Sequence, residues 1–281
     1  LDLETGAAIG QNGALVNVSG NNQFNGNVQV VGSHSSIVAA DAGTLTIDNG
    51  TSTAISLGAN QLTLLPAAGA TINIGSGGGN ENIGMGNSTL ILGGDGNGFL
   101  KTFIASGAAA GIVIKEGNGN WTLSKTYSGS NGWSVIGGET AHLRVNAGTL
   151  LLGATDAVSY GTGKGLVEVN GGTLDLNGFA TNLNGLSNIP GQTAGIVTNN
   201  GVALPVTLTL GYGDSSAVYR GTLQDGTSAI SVTKTGTGTQ SLAGTNSISG
   251  AIAVDGGTLV MAGNTVSASS LSIASGATFQ N

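Results

Sequence analysis

Polar and apolar residues alternate one by one along most of this chain, in short runs closed by glycine. In "GGTLDL", Gly171 to Leu176, the alternation puts Leu174 and Leu176 on one face and Thr173 and Asp175 on the other. The same unit recurs as "AGTLTI" (Ala42–Ile47), "GATINI" (Gly69–Ile74), "NSTLIL" (Asn87–Leu92), "AGTLLL" (Ala147–Leu152), "GGTLVM" (Gly256–Met261) and "GATF" (Gly276–Phe279). Glycine supplies the turn, and Thr, Val and Ile suit a pleated surface. No stripe of 3.6-residue period competes with this pattern, so it predicts strands throughout and no substantial helix.

A longer repeat contains the short one. "GTNSISGAIAVDGG", Gly244 to Gly257, aligns without gaps with "GNNQFNGNVQVVGS", Gly20 to Ser33, matching Gly20 to Gly244, Asn22 to Asn246, Phe24 to Ile248, Gly26 to Gly250, Val28 to Ile252 and Val30 to Val254. A third copy starts at "IVIKEGNGNWTLSKTYSG", where Lys115, Gly117, Gly119 and Leu123 match Lys234, Gly236, Gly238 and Leu242 before an insertion around Trp133. In places the units return about every 20 to 27 residues, near the length of one turn of a parallel β-solenoid. A unit that returns in one orientation predicts coils stacked like on like, with aliphatic and Thr ladders. Asn-Gly pairs at Asn12-Gly13, Asn25-Gly26 and Asn49-Gly50 also suit hairpins, so a meander is the competing arrangement.

Composition narrows the setting. Glycine accounts for 52 of 281 residues and charged residues for 7%, against roughly 25% in an average soluble domain. Aromatics are 4%, so the core must be thin and aliphatic, while 39% apolar content is too much for a disordered chain. Without cysteine, neither disulfides nor thiol chemistry is available. The net charge of −7 makes nucleic acid and anionic membrane surfaces poor partners. Gly107 to Ile114, the longest apolar stretch, is far short of the roughly 18 residues that span a bilayer.

"VTKTGTGTQSLAGTNSISGAIAVDGGTLVMAG", Val232 to Gly263, closely resembles the autotransporter-associated β-strand repeat (passenger-associated transport repeat) of large bacterial surface proteins. Lys234, Gly236, Gly238, Leu242, Asn246, Ile248, Gly250, Gly257, Thr258 and Leu259 hold the places of its pattern, and "AVYRGTLQDG", Ala217 to Gly226, is similar to the segment that precedes it. The best-matching copies cover about residues 111–152 and 229–263; the central one is interrupted and the first, before Gly20, lacks the lysine. The resemblance implies a right-handed parallel β-helix, one solenoid over 1–281, and the exported part of a bacterial surface or secreted protein. It does not fix an activity, because passengers include adhesins, proteases, esterases and scaffolds.

Candidate chemistry is sparse. A carbohydrate-cleaving β-helix needs clustered carboxylates, but the fourteen acids are scattered, with Asp175 and Asp255 expected at solvated outward or turn positions. Glu139, His142 and Arg144 form the densest polar group, with His142 and Arg144 predicted on one face of a strand entered from a solvated loop. Trp121 and Trp133 are candidate sugar-stacking contacts, with packing as the simpler role. These five are the candidate ligand contacts. Gly213-Asp214-Ser215 lacks the Gly-Ser-Pro that follows in exported serine proteases, and the two histidines, His34 and His142, sit in unremarkable settings. "GGDGNGFL", Gly93 to Leu100, is a single imperfect copy of a calcium nonapeptide and reads as a turn. Lys115 and Lys234 read as features of the repeat.

The sequence therefore predicts no catalytic, cofactor or metal residue. It points to a non-catalytic extracellular scaffold or adhesin. Its partners would be glycans, surfaces or its own copies stacked head to tail, with a carbohydrate-active or carbohydrate-binding β-helix as the rival. "LDLETGAA" and "SIASGATFQN" both resemble interrupted coils without caps, so the expectation is a trimmed piece of a longer protein or ends that meet partners.

Overall fold

The computed structural model describes residues 2–3, 13–32, 35–50, 52–77, 80–105, 111–128, 132, 140–202, 205–262 and 267–281. Its strands pair in parallel throughout, which excludes the hairpin meander and makes the chain a parallel β-solenoid of about ten coils. Early in the chain three sheets are visited in turn. Val28–Val30 belongs to a five-stranded sheet, Ser35–Ala40 to an eight-stranded sheet and Thr44–Asp48 to a ten-stranded sheet, before Thr53–Ser56 returns to the first. Toward the C-terminus a second five-stranded sheet (from Thr181–Leu183) and a four-stranded sheet (from Ala217–Tyr219) take over two of the walls, while the ten-stranded sheet continues to Thr245–Ser247. One 3-10 turn, Tyr212–Asp214, is the sole helical element among the described residues, and no helix is long and apolar enough to cross a membrane.

Alternation decides what is buried. In Gln61–Pro66 and Ser88–Leu92 every second side chain is removed from water, and Leu62, Leu64, Leu90 and Leu92 join one internal aliphatic column with Ile72, Leu150, Leu174 and Leu259. Each fully buried Leu or Ile contributes about 1.5–3 kcal/mol. The like-on-like stacking is literal at many rungs: Thr44 pairs with Thr71, Thr149 with Thr173, and Leu150 with Leu174. Close approach of coils explains the corner glycines. Gly117 has φ 67°, and a β-carbon there would lie 2.4 Å from the carbonyl oxygen of Gly94 one coil away.

The repeats do not keep to one wall of the solenoid. The short Thr-Leu unit does not mark one face: Ala42–Ile47 and Gly171–Leu176 lie in the ten-stranded sheet, Asn87–Leu92 in the eight-stranded sheet and Gly256–Met261 in the four-stranded sheet. The long unit shifts as well, since Lys115 ends a strand of the eight-stranded sheet and Lys234 one of the C-terminal five-stranded sheet. Between Thr149–Leu152 and Leu166–Val169 the coil skips a strand, and residues 153–165 bridge the gap by placing Ala157 and Val158 in the core.

Candidate functional site

The predicted contact residues do not converge. Trp121 is fully buried, with its indole Nε1 donating to the carbonyl of Gly93 at 2.9 Å. Its ring lies over Gly98, its ladder partner, where a β-carbon would come within 2.2 Å of it. A ring so enclosed reaches no sugar, so Trp121 is a core residue and not a ligand contact. Gln240, which aligns with it in the repeat, also points inward; its amide donates to the carbonyl of Leu186 at 2.9 Å and accepts from the Leu186 N–H at 3.0 Å. Trp133, Glu139 and His34 lie outside the described residues.

His142 and Arg144 share the strand Ala141–Val145 and one face of it, as the alternation predicts, but His142 is not solvated. It sits at an irregularity between Ala141, which pairs with Leu166, and Leu143, which pairs with Val167. Residues 153–165 pass close by, and the imidazole lies near the backbone of Ser159, Gly165 and Leu166. Burial, with the nearby Lys164 charge, pushes its pKa from 6.5 down to about 4. The folded state thus binds fewer protons than the unfolded chain between those values, and a penalty grows as pH falls from 6.5 to 4 and is constant below. Urea unfolding at decreasing pH will show a loss of up to about 3 kcal/mol from this group, and His142→Gln will flatten the profile over that window relative to the natural chain.

Arg144 Nε meets Glu168 Oε2 at 2.7 Å one coil away. Glu168 lines a surface hollow of about 410 Å³ with Leu166, Asn188, Ala217, Val218 and Arg220. Among the described residues it is the sole acid on the hollow's wall, and Arg144 holds it; no second described carboxylate joins it there for glycosidic chemistry. No group of three or more His, Cys, Asp or Glu able to hold a metal occurs among the described residues. Reading "AHLRV" against "LVEV" one coil on would have found the Arg144–Glu168 pair. Arg220, by contrast, follows the strand Ala217–Tyr219 of the neighbouring four-stranded sheet, and strand alternation carries no signal for it.

Three of the remaining polar candidates, Asp175, Asp214 and Asp95, tie coils together. Asp175 is a correction to the solvated expectation. It is 4% exposed; Oδ1 accepts the N–H groups of Asn177 and Asn200, and Oδ2 the side-chain amide of Asn200, each at 2.9 Å. Asp255 is exposed. Asp214 accepts the Thr237 N–H at 2.7 Å, and Asp95, in the "GGDGNGFL" turn, accepts the Asn118 side-chain amide at 3.0 Å.

The two repeat lysines make the same structure twice. Lys115 is fully buried, and its Nζ donates to the carbonyls of Glu116, Gly117 and Ala147 at 2.6, 2.9 and 3.0 Å. Lys234, equally buried, donates to Thr235, Gly236 and Gly256 at 2.6, 3.1 and 3.2 Å. Gly117 and Gly236 carry nearly identical φ angles of 67° and 69°. The lysine of the repeat is therefore a corner staple: its three protons join its own turn to the turn of the next coil. Residues 232–261, which contain the second staple, match the family model of the Passenger-associated-transport-repeat. The match covers 30 of the 281 residues and likens this segment to that repeat. Comparisons with curated proteins and with solved structures find no match. In the matched segment Lys234 staples one corner, Gly257 turns at φ 59°, and Leu242, Ile252, Val254 and Leu259 fill the column. The repeat and the solenoid that holds it fit an autotransporter passenger.

Proposed function

We propose that this chain is a surface-displayed or secreted structural segment, a rod that carries and presents other surfaces outside a bacterial cell and has no turnover of its own. The carrying observation is the transport repeat at residues 232–261 embedded in a parallel column that continues through the preceding coils. Dispersed acids, seven of the fourteen tied to backbone N–H groups, support the non-catalytic reading. No cofactor enters it. The hollow around Glu168 and Arg220 favours one second reading, a carbohydrate-binding role.

Surface labelling of the producing bacterium with an antibody to the chain, together with a glycan panel read for both binding and release of reducing ends, tests the proposal. Labelling of intact cells without sugar release supports it. Sugar release by the purified chain overturns the structural reading, and glycan binding lost in Arg220→Ala moves the function to the hollow. Self-association is tested alongside by light scattering, where monomers at all concentrations remove fibre formation from the proposal.

A further inference from the structure

We propose that the corner where Asp48 meets Glu81 binds a divalent cation of the calcium class. Asp48 ends the strand Thr44–Asp48, and Glu81 precedes the strand Asn82–Gly84 one coil on. Glu81 is fully buried. Its Oε1 accepts the N–H of Asn49 at 2.5 Å, which sets the carboxyl directly beside Asp48, while its Oε2 has no hydrogen-bond partner. Gly75, at φ 81°, packs its α-carbon against this carboxyl so closely that a β-carbon would stand 2.5 Å from Oε2. Thr102, 2% exposed and against the same glycine, also leaves its Oγ1 without a partner.

A buried carboxylate oxygen without a donor is an uncommon cost, and a second carboxylate at its side increases it. Burial pushes the Glu81 pKa up, the Asn49 N–H and the more remote Lys125 oppose it, and both the charge of Asp48 and a side-chain hydrogen bond with that residue add to the rise. Lys125 does not close the gap, since its Nζ donates to the Gly77 carbonyl at 3.1 Å and stands 5.2 Å from the Phe103 ring centre. The corner therefore calls for positive charge between two carboxyl groups. Asp48 also lines a hollow of about 320 Å³ with Asn25, Asn49 and Gly50, while Glu81 stays behind it, away from water. Asp48 Oδ1 accepts the Gly50 N–H at 2.8 Å, Asn25 Oδ1 accepts from Gln23 at 2.5 Å, and Asn49 donates its side-chain amide to Thr53 O at 2.9 Å. Two carboxylates, side-chain amide oxygens and room for water form an all-oxygen set of irregular geometry, which suits calcium better than magnesium.

The test is thermal unfolding of the full 281-residue chain at neutral pH and constant ionic strength. It is followed by circular dichroism with chelator, with about 0.1–10 mM calcium chloride and with magnesium chloride. Calcium is expected to raise the midpoint with the logarithm of its concentration above the dissociation constant, by about 3 °C at ten times that constant, and magnesium less. Asp48→Asn and Glu81→Gln should each abolish the response; if the buried Glu81→Gln fails to fold, Asp48→Asn at the half-buried position carries the test. An unchanged midpoint in the natural chain overturns the proposal, as does a calcium response that survives Asp48→Asn. A Glu81→Gln variant more stable than the natural chain, with no calcium response in either, overturns it in favour of a shared proton.

Discussion

Replacing Trp121 by alanine will destabilise the central coils by about 3–5 kcal/mol, the cost of emptying a large aromatic site in a packed core. The ring is fully enclosed, holds the Gly93 carbonyl through its indole nitrogen, and fills the space that Gly98 leaves on the adjacent rung. Because each coil rests mainly on its neighbours, the loss will be local, and hydrogen exchange will show it first in Asn97–Leu100 and Thr149–Leu152, the strands on either side. Gly98→Ala should be damaging alone and much less so combined with Trp121→Leu, since the added methyl would occupy volume the smaller side chain releases. A loss below about 1 kcal/mol for Trp121→Ala is what a surface ring would give, and it would return Trp121 to the candidate ligand contacts.

The second large effect is expected at the staples. Lys115→Met and Lys234→Met keep the length of the buried stem but remove three donors each, leaving carbonyls of two coils without partners. The expected cost is about 2–4 kcal/mol per site, because an orphaned buried acceptor costs about 1–3 kcal/mol and the corner relaxes in part. Burial pushes Lys115 down to about 8, against the opposing charges of Asp95 and Glu116, so it remains an ammonium at neutral pH. Lys234 is lowered for the same reason, with Asp214 opposing. Chemical denaturation of both variants beside Lys101→Met, a partly exposed control without a staple, measures the difference. Methionine variants as stable as the natural chain would mean that relief from burying a charge offsets all three hydrogen bonds.

What the sequence revealed, and what it hid, follows from the range of the interactions involved. Alternation in "GGTLDL" and "NSTLIL" is set by neighbours two residues apart, so strands, inward faces and the aliphatic column were readable. The matching lysines and glycines of 111–152 and 229–263 were visible as a pattern, although their work at the corner was not, because the carbonyls of Ala147 and Gly256 lie one coil away from the lysines that bind them. The burial of His142 is not legible in the sequence because its cover comes from residues 153–165, a segment without alternation. Asp175 reads as solvated in the sequence because nothing near it announces that Asn200 closes over it. The pairing of Asp48 with Glu81 depends on the length of a coil, which a chain of unequal coils does not disclose.

The drift of the repeat from one wall to another has a consequence for how such rods change length. A unit that closes equally well at different edges of the prism is a portable brick, laid wherever the winding happens to arrive. Fractions of a revolution are then tolerable insertions or deletions, and the rod is free to grow by pieces smaller than a whole winding.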